Sequence, residues 1–197
     1  MKFVLATFNL DKLRELRALL DVPGLELTAL SDVPGATAPA ETGPTLEENA
    51  RIKALAALAL TGLPAIADDT GLEVDALGGR PGVHAARYAG PDASYADNVR
   101  KLLGELAGVA DDARGARFRT VCVACWPDGV EMAAHGMLEG RITRSPHGTN
   151  GFGYDPVFEV EGRGRTLAEM TDDEKNALSH RARAIHRLAE LIRVKDN

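Results

Sequence analysis

Strand-like and helix-like segments alternate along this chain, which predicts an α/β or α+β sheet with helices packed on it. Three observations carry that expectation. The apolar segment Lys2–Thr7 reads as a buried strand and passes directly into leucines at helical spacing, Leu10, Leu13, Leu16 and Leu19–Leu20. Thr45-x-x-Glu48 has the form of a capping box and opens an alanine- and leucine-rich helix that stops at Gly62, with Pro64 beyond. Phe118–Trp126 and Val130–Leu138 read as two strands joined at Pro127-Asp128-Gly129, a hairpin signal.

The remaining elements follow in order. Pro23-Gly24 closes the first helix. Ala65-Ile66-Ala67 is a short strand ending in Asp68-Asp69-Thr70-Gly71, where Gly71 allows a tight turn. Gly78 to Gly90 is a glycine-punctuated loop, and Val99, Leu102, Leu103 and Leu106 mark another helix. A polar loop leads to Gly151-Phe152-Gly153-Tyr154-Asp155-Pro156, ahead of the apolar Val157-Phe158. The tail from about Thr171 to Val194 is helical, with Ala184, Ile185, Leu188 and Ile192 on its apolar face.

Composition bounds the class. The chain has 197 residues, 45% of them apolar and 26% charged, which suits one globular domain over 1–197 and excludes disorder, fibres and a disulfide-stapled scaffold. The longest apolar run, Ala54–Leu60, is about seven residues, far short of the ~20 that cross a bilayer. The opening Met1–Thr7 turns polar too soon for a secretory leader, so a cytoplasmic location is expected. A formal charge of −6, with arginines scattered among 29 carboxylates, argues against a nucleic-acid-binding surface and leaves room for an anionic small molecule. Cys122 and Cys125 form a lone C-x-x-C within a strand, where residues three apart face opposite ways; they read as two core thiols.

Four segments carry candidate chemistry. Thr7-Phe8-Asn9-Leu10-Asp11-Lys12 lies between a strand and a helix, where backbone N–H groups and the helix dipole attract phosphate. The same segment also fits a plain strand–helix connection with Asn9 or Asp11 as N-cap. Glu41, Glu47, Glu48, Asp68 and Asp69 supply hard oxygen ligands of the kind that hold Mg²⁺, the alternative being a solvated acidic turn. Phe152 between Gly151 and Gly153 offers a ring on which a base can stack, or a core plug. Lys175-Asn176-x-x-Ser179-His180-Arg181 gathers donors beside a helix start, or lines a solvated helix edge. Phosphate donors, metal carboxylates, a stacking ring and base-edge donors together describe a site for a nucleoside triphosphate.

The chain also resembles a known family from Thr7 to about Ile185. The matching blocks are Thr7-x-Asn9-x-x-Lys12, Glu41-Thr42-Gly43-x-Thr45-x-x-Glu48-Asn49-Ala50 and Ala67-Asp68-Asp69-Thr70-Gly71-Leu72-Glu73-Val74. They continue through Gly78-Gly79-x-Pro81-Gly82-Val83, Ala86-Arg87-Tyr88-Ala89-Gly90, Gly151–Pro156, Glu174-Lys175-Asn176 and Ser179-His180-Arg181. In this order they resemble the RdgB/HAM1-type inosine triphosphate pyrophosphatases, also described as dITP/XTP pyrophosphatases.

That resemblance implies a mixed, elongated central sheet with helices on its faces, two lobes flanking a substrate cleft, and a homodimer. It implies Mg²⁺-dependent hydrolysis of ITP, dITP and XTP to monophosphate and pyrophosphate, which cleanses the nucleotide pool. By position, Thr7, Phe8, Asn9, Leu10, Asp11 and Lys12 would meet the triphosphate, and Glu41 and Asp69 the metal. Asp69 would also be the general base, with Thr70 beside it in place of the usual Ser. Phe152, Gly153, Tyr154, Asp155, Lys175, His180 and Arg181 would hold the base. Phe8 stands where the family usually has Gly, and a ring there would crowd the phosphate loop unless it points away. A Maf-like pyrophosphatase with another base preference and a non-catalytic nucleotide sensor are the alternatives. Neither a nucleic acid nor a membrane is expected as a partner.

Overall fold

Phe3-Val4-Leu5 leaves no polar face, and β1 (Lys2–Leu5) is buried on both sides after its first residue. It pairs in parallel with β2 (Glu26–Ala29), Lys2 opposite Glu26 through Leu5 opposite Ala29. On its other edge it pairs in parallel with β3 (Ala65–Val74), Val4 opposite Ala65 and Leu5 opposite Ile66. The short β4 (Pro81–Gly82) runs antiparallel to β3, Leu72 opposite Gly82. β5 (Gly115–Cys125) and β6 (Glu131–Ile142) are neighbours joined at the predicted turn, where Gly129 N–H donates to Trp126 C=O. β7 (Phe158–Val160) runs antiparallel to β6. The strand order is β2-β1-β3-β5-β6-β7, with β4 on β3. A mixed sheet carrying helices is the predicted α/β architecture. The computed structural model describes residues 1–20 and 22–195; Asp21, Asp196 and Asn197, which the single-domain reading of 1–197 includes, lie outside the described residues.

Among the described residues five α-helices accompany the sheet: α1 (Leu10–Leu19), α2 (Leu46–Thr61), α3 (Tyr95–Glu105), α4 (Asp172–Leu178) and α5 (His180–Lys195). Their starts are chemical. Thr45 and Glu48 close the predicted capping box of α2, and Ser94 with Asp97 and Thr171 with Glu174 do the same for α3 and α4. Gly62 ends α2 in the left-handed region, φ 68°, which a side chain would disfavour. None of the described helices is long and apolar enough to cross a membrane.

Three sequence expectations need correction. β3 does not stop at Asp68-Asp69-Thr70-Gly71 but runs on to Val74, because cations from three helices compensate its buried carboxylates. The tail is two helices, parted where Ser179 turns to extended backbone (ψ 156°). α1 ends at Leu19, ahead of Pro23-Gly24, and its Leu10 is 68% exposed rather than part of the apolar face.

The chain packs as two compact units. One comprises Met1–Asp69, Thr120–Gly136 and the segment from Arg181 onward; the other comprises Thr70–Arg119 and Met137–His180. In the first, strand alternation sorts the core into two layers. Phe3, Leu5 and Ile66 pack with Leu13 and Leu16 of α1 and Ile185 and Leu188 of α5. Val4, Ala6, Ala65 and Ala67 pack with Ala50, Ala54 and Ala57 of α2. The second unit has its own core, in which Leu72, Val74, Leu102, Phe118, Phe158 and Leu167 are buried together.

Candidate active site

In the first unit, Asp68 and Asp69 follow the apolar Ala65-Ile66-Ala67 along β3 and are both buried. Asp68 shares its side of the strand with Ile66. It meets Lys12 Nζ at 3.1 Å and accepts from Arg181 Nε at 3.2 Å, and Arg181 also pairs with Glu15. Burial opposes ionisation there, but Lys12 and Arg181 outweigh it and hold the Asp68 carboxyl far below the usual range. Asp69 shares its side with Ala67, facing α2. Its Oδ1 accepts from Lys53 Nζ at 3.0 Å, and the same ammonium donates to Glu41 Oε1 at 2.9 Å. Burial pushes the Asp69 carboxyl up, against the pull of Lys53 and Lys12.

Asp69 Oδ2 is buried and accepts no hydrogen bond among the described residues. An anionic oxygen in that condition is costly unless a cation or a proton takes it. With Glu41 beside it, the pair offers the hard oxygens that suit Mg²⁺, an ion commonly held by one or two carboxylates and completed by water and phosphate. No group of three or more His, Cys, Asp or Glu side chains among the described residues would hold a metal by itself. The donor set therefore fits Mg²⁺ shared with a phosphate ligand. Glu47 and Glu48 stand apart from it: Glu47 lies 3.4 Å from His135 Nε2, and Glu48 is spent on its helix cap.

The phosphate-loop candidates also lie in the first unit. Asn9 is the N-cap of α1, its Oδ1 accepting from Asp11 N–H at 3.0 Å and Lys12 N–H at 3.1 Å. Thr7 is buried and its Oγ1 accepts from Asn9 N–H at 3.2 Å, so the connection is built by its own short side chains. Phe8 is 40% exposed, its ring outside the core. Asp11 faces Arg14 at 3.7 Å on the first turn, beside the exposed Leu10.

The second unit holds most of the base-reading candidates. Gly151 at φ 72° and Gly153 at φ 64° take backbone conformations that favour glycine, which lets the loop fold over Asp155. Asp155 Oδ2 accepts from Phe152 N–H at 2.9 Å and from Lys175 Nζ at 2.6 Å, and both Asp155 and Lys175 are buried. The Lys175 ammonium lies 4.8 Å from the centroid of the Phe152 ring, and Tyr95 packs on that ring at 5.8 Å. Tyr154 is a core residue whose hydroxyl donates to Ala85 C=O at 2.8 Å. His180 is buried and stacks on Phe118, centroids 4.5 Å apart and planes 15° from parallel. Thr70, half-buried, continues β3 from Asp69. Arg181, grouped with the base-reading residues by sequence, pairs with Asp68 and Glu15 in the first unit, beside Lys12.

Sequence reasoning missed Lys53 and Glu15. The signal for Lys53 was present: it falls three residues after Ala50 and four after Asn49, on the stripe of α2 that is otherwise Ala50, Ala54 and Ala57. A lysine on a buried stripe requires an anion. Glu15 gave no such signal, because its partner arrives from the far end of the chain.

A model of the Ham1 family matches residues 3–191. The chain belongs to the Ham1 family. A dITP/XTP pyrophosphatase of Symbiobacterium thermophilum is 52% identical to this Ham1 chain over 191 residues, covering 97% of it and 94% of the relative. The dITP/XTP pyrophosphatase of Escherichia coli strain K12 is 49% identical over 194 residues, covering 98% of each. Among solved structures, the Ham1 protein of Staphylococcus aureus matches with a TM-score of 0.88 and 35% identity over 99% of this chain and 100% of that one. A nucleoside-triphosphatase / dITP/XTP pyrophosphatase of Mycobacterium abscessus matches with a TM-score of 0.77 and 46% identity, covering 95% and 98%.

Proposed function

We propose that this Ham1-family chain is a nucleoside triphosphate pyrophosphatase that hydrolyses ITP, dITP and XTP to the monophosphate and pyrophosphate. The observation that carries the reading is the buried Asp69 Oδ2, an acceptor with no protein donor among the described residues, on a carboxylate whose other oxygen is shared with the partner of Glu41. In the reaction, water attacks the α-phosphorus in line, the bond from that phosphorus to the bridging oxygen breaks, and pyrophosphate leaves. Asp69 Oδ2 takes the proton of the attacking water, a role suited to a carboxyl that burial pushes upward. Lys12, held at 3.1 Å from Asp68, stands in the first turn of α1, where the helix end itself favours phosphate. Glu41 and Asp69 would hold Mg²⁺, which supplies charge neutralisation for the triphosphate.

Phe152 would present its ring to the base, with Lys175 fixed behind it by Asp155. Family resemblance supports a homodimer. A cytoplasmic location and a role in cleansing the nucleotide pool follow from the substrate class. The test is a product assay over a panel of nucleoside triphosphates with and without Mg²⁺. EDTA should abolish turnover of ITP and XTP, and added Mg²⁺ restore it. Full activity in metal-free protein counts against the reading, tight binding without turnover points to a sensor, and preference for a different base points to Maf-like selectivity. Light scattering at micromolar concentration checks the dimer.

A further inference from the structure

Lys53 places one ammonium 2.9 Å from Glu41 Oε1 and 3.0 Å from Asp69 Oδ1, bridging two carboxylates. Its side chain is only 13% exposed, and its stem lies along the buried stripe of α2. An Mg²⁺ ion bound to both carboxylates would sit ~2.0–2.1 Å from each oxygen. A metal on Glu41 Oε1 and Asp69 Oδ1, the arrangement that leaves Asp69 Oδ2 for the proton of the attacking water, cannot share those two oxygens with the ammonium. We propose that Lys53 is a placeholder for the divalent cation: it closes the Glu41–Asp69 pair in the substrate-free protein and keeps bare metal out, so that the cation enters with the nucleotide.

Charge supports the same order of events. In this part of the first unit, Glu15, Glu41, Asp68 and Asp69 face Lys12, Lys53 and Arg181, leaving one negative charge in surplus. A bare dication would leave the cluster positive, and Mg²⁺ sheds its water reluctantly. A triphosphate brings the missing negative charge, and the flexible four-carbon stem of Lys53 lets its ammonium leave the carboxylates when the metal arrives. The function of Lys53 is thus positional, acting on when the carboxylates become available.

The inference rests on Glu41 and Asp69 being the cation's carboxylates, and the experiment separates the two claims. Mn²⁺, followed by electron paramagnetic resonance and by water-proton relaxation, is titrated into the full chain without nucleotide. Wild type should bind weakly, Lys53→Met at least ~10-fold more tightly, and Lys53→Arg as weakly as wild type. With a non-hydrolysable purine triphosphate present, wild type should show the relaxation enhancement that Lys53→Met shows without it. Equal Mn²⁺ affinity of wild type and Lys53→Met in the absence of nucleotide overturns the placeholder. If Glu41→Gln and Asp69→Asn weaken Mn²⁺ binding in that case, the carboxylate assignment survives alone. If neither weakens binding in the Lys53→Met background, the carboxylate assignment falls and takes the placeholder with it. Thermal melts confirm folding, and Lys53→Gln replaces Lys53→Met if the latter does not fold, with the same expected and overturning results.

Discussion

Asp68 and Asp69 are consecutive on β3 yet are neutralised from opposite sides of it, Asp68 by Lys12 and Arg181 of α1 and α5, Asp69 by Lys53 of α2. The two-residue period of a strand makes this possible. Neighbours in sequence are thereby bonded to different cations, although Lys12 and Lys53 each still act on both carboxylates.

The Asp68 cluster should dominate stability. Asp68→Asn leaves Lys12 and Arg181 short of a buried counter-charge and should cost about 3–5 kcal/mol at pH 7. The pH dependence has a definite sign. The folded carboxyl titrates below its unfolded value of about 3.9, so its contribution is complete above that pH and drains away as pH falls toward the depressed folded value. Urea melts should therefore show the gap between wild type and Asp68→Asn narrowing below about pH 4. An equal gap at pH 7 and pH 3 contradicts it.

Asp69→Asn should act on the chemical step. The amide is nearly isosteric but cannot take a proton, so kcat should fall by about 10²–10⁴ while KM changes only a few-fold. Stability should hold or rise, because the neutral amide removes a buried charge that desolvation disfavours. Near-native kcat would remove Asp69 from the reaction.

The loop around Phe152 gives a paired prediction. A Cβ on Gly151 would lie 2.1 Å from Asp155 Oδ2, the atom that holds both Phe152 N–H and Lys175, whereas a Cβ on Gly153 meets nothing within 4 Å. Gly151→Ala should raise KM for the purine triphosphate and destabilise by well over the ~1 kcal/mol expected from backbone conformation at Gly153→Ala. Steady-state kinetics and melts on the two variants check the ranking.

Base selection should favour a 6-oxo purine. A site that hydrogen-bonds a group rejects analogues lacking it, so ITP or XTP should exceed ATP in kcat/KM by at least roughly a hundredfold. Lys175→Ala should narrow that ratio mainly by lowering the efficiency with ITP. It should also lower Tm, because Asp155 then stays buried without its 2.6 Å partner. Adding Asp155→Asn should recover much of the Tm but not the ratio. An unchanged ratio would show that Lys175 serves only to hold Asp155.

What was legible in the sequence was local. The capping box at Thr45 and Glu48, the Gly62 stop and the 127–129 turn each depend on residues a few positions apart, and each formed where expected. The continuation of β3 through two aspartates was hidden because its justification lies in Lys12, Lys53 and Arg181, as much as 113 residues away. The break at Ser179 carries no Gly or Pro to announce it. For the site, residue types were readable but their protein partners were not: nothing local pairs Lys175 with Asp155 or the Tyr154 hydroxyl with Ala85 C=O.

Cys122 and Cys125 lie on opposite faces of β5, Cys122 among the residues under α1 and α5, Cys125 among those under α2. Burial raises both thiols, Cys125 to about 11, so neither offers much thiolate at neutral pH. Each sulfur therefore becomes reactive when the packing over its own face of the sheet opens, by helices lifting or by the strand end parting. Timed alkylation of the single-cysteine variants would clock the two openings separately, turning a motif with no redox task into a pair of built-in reporters on how the first unit comes apart.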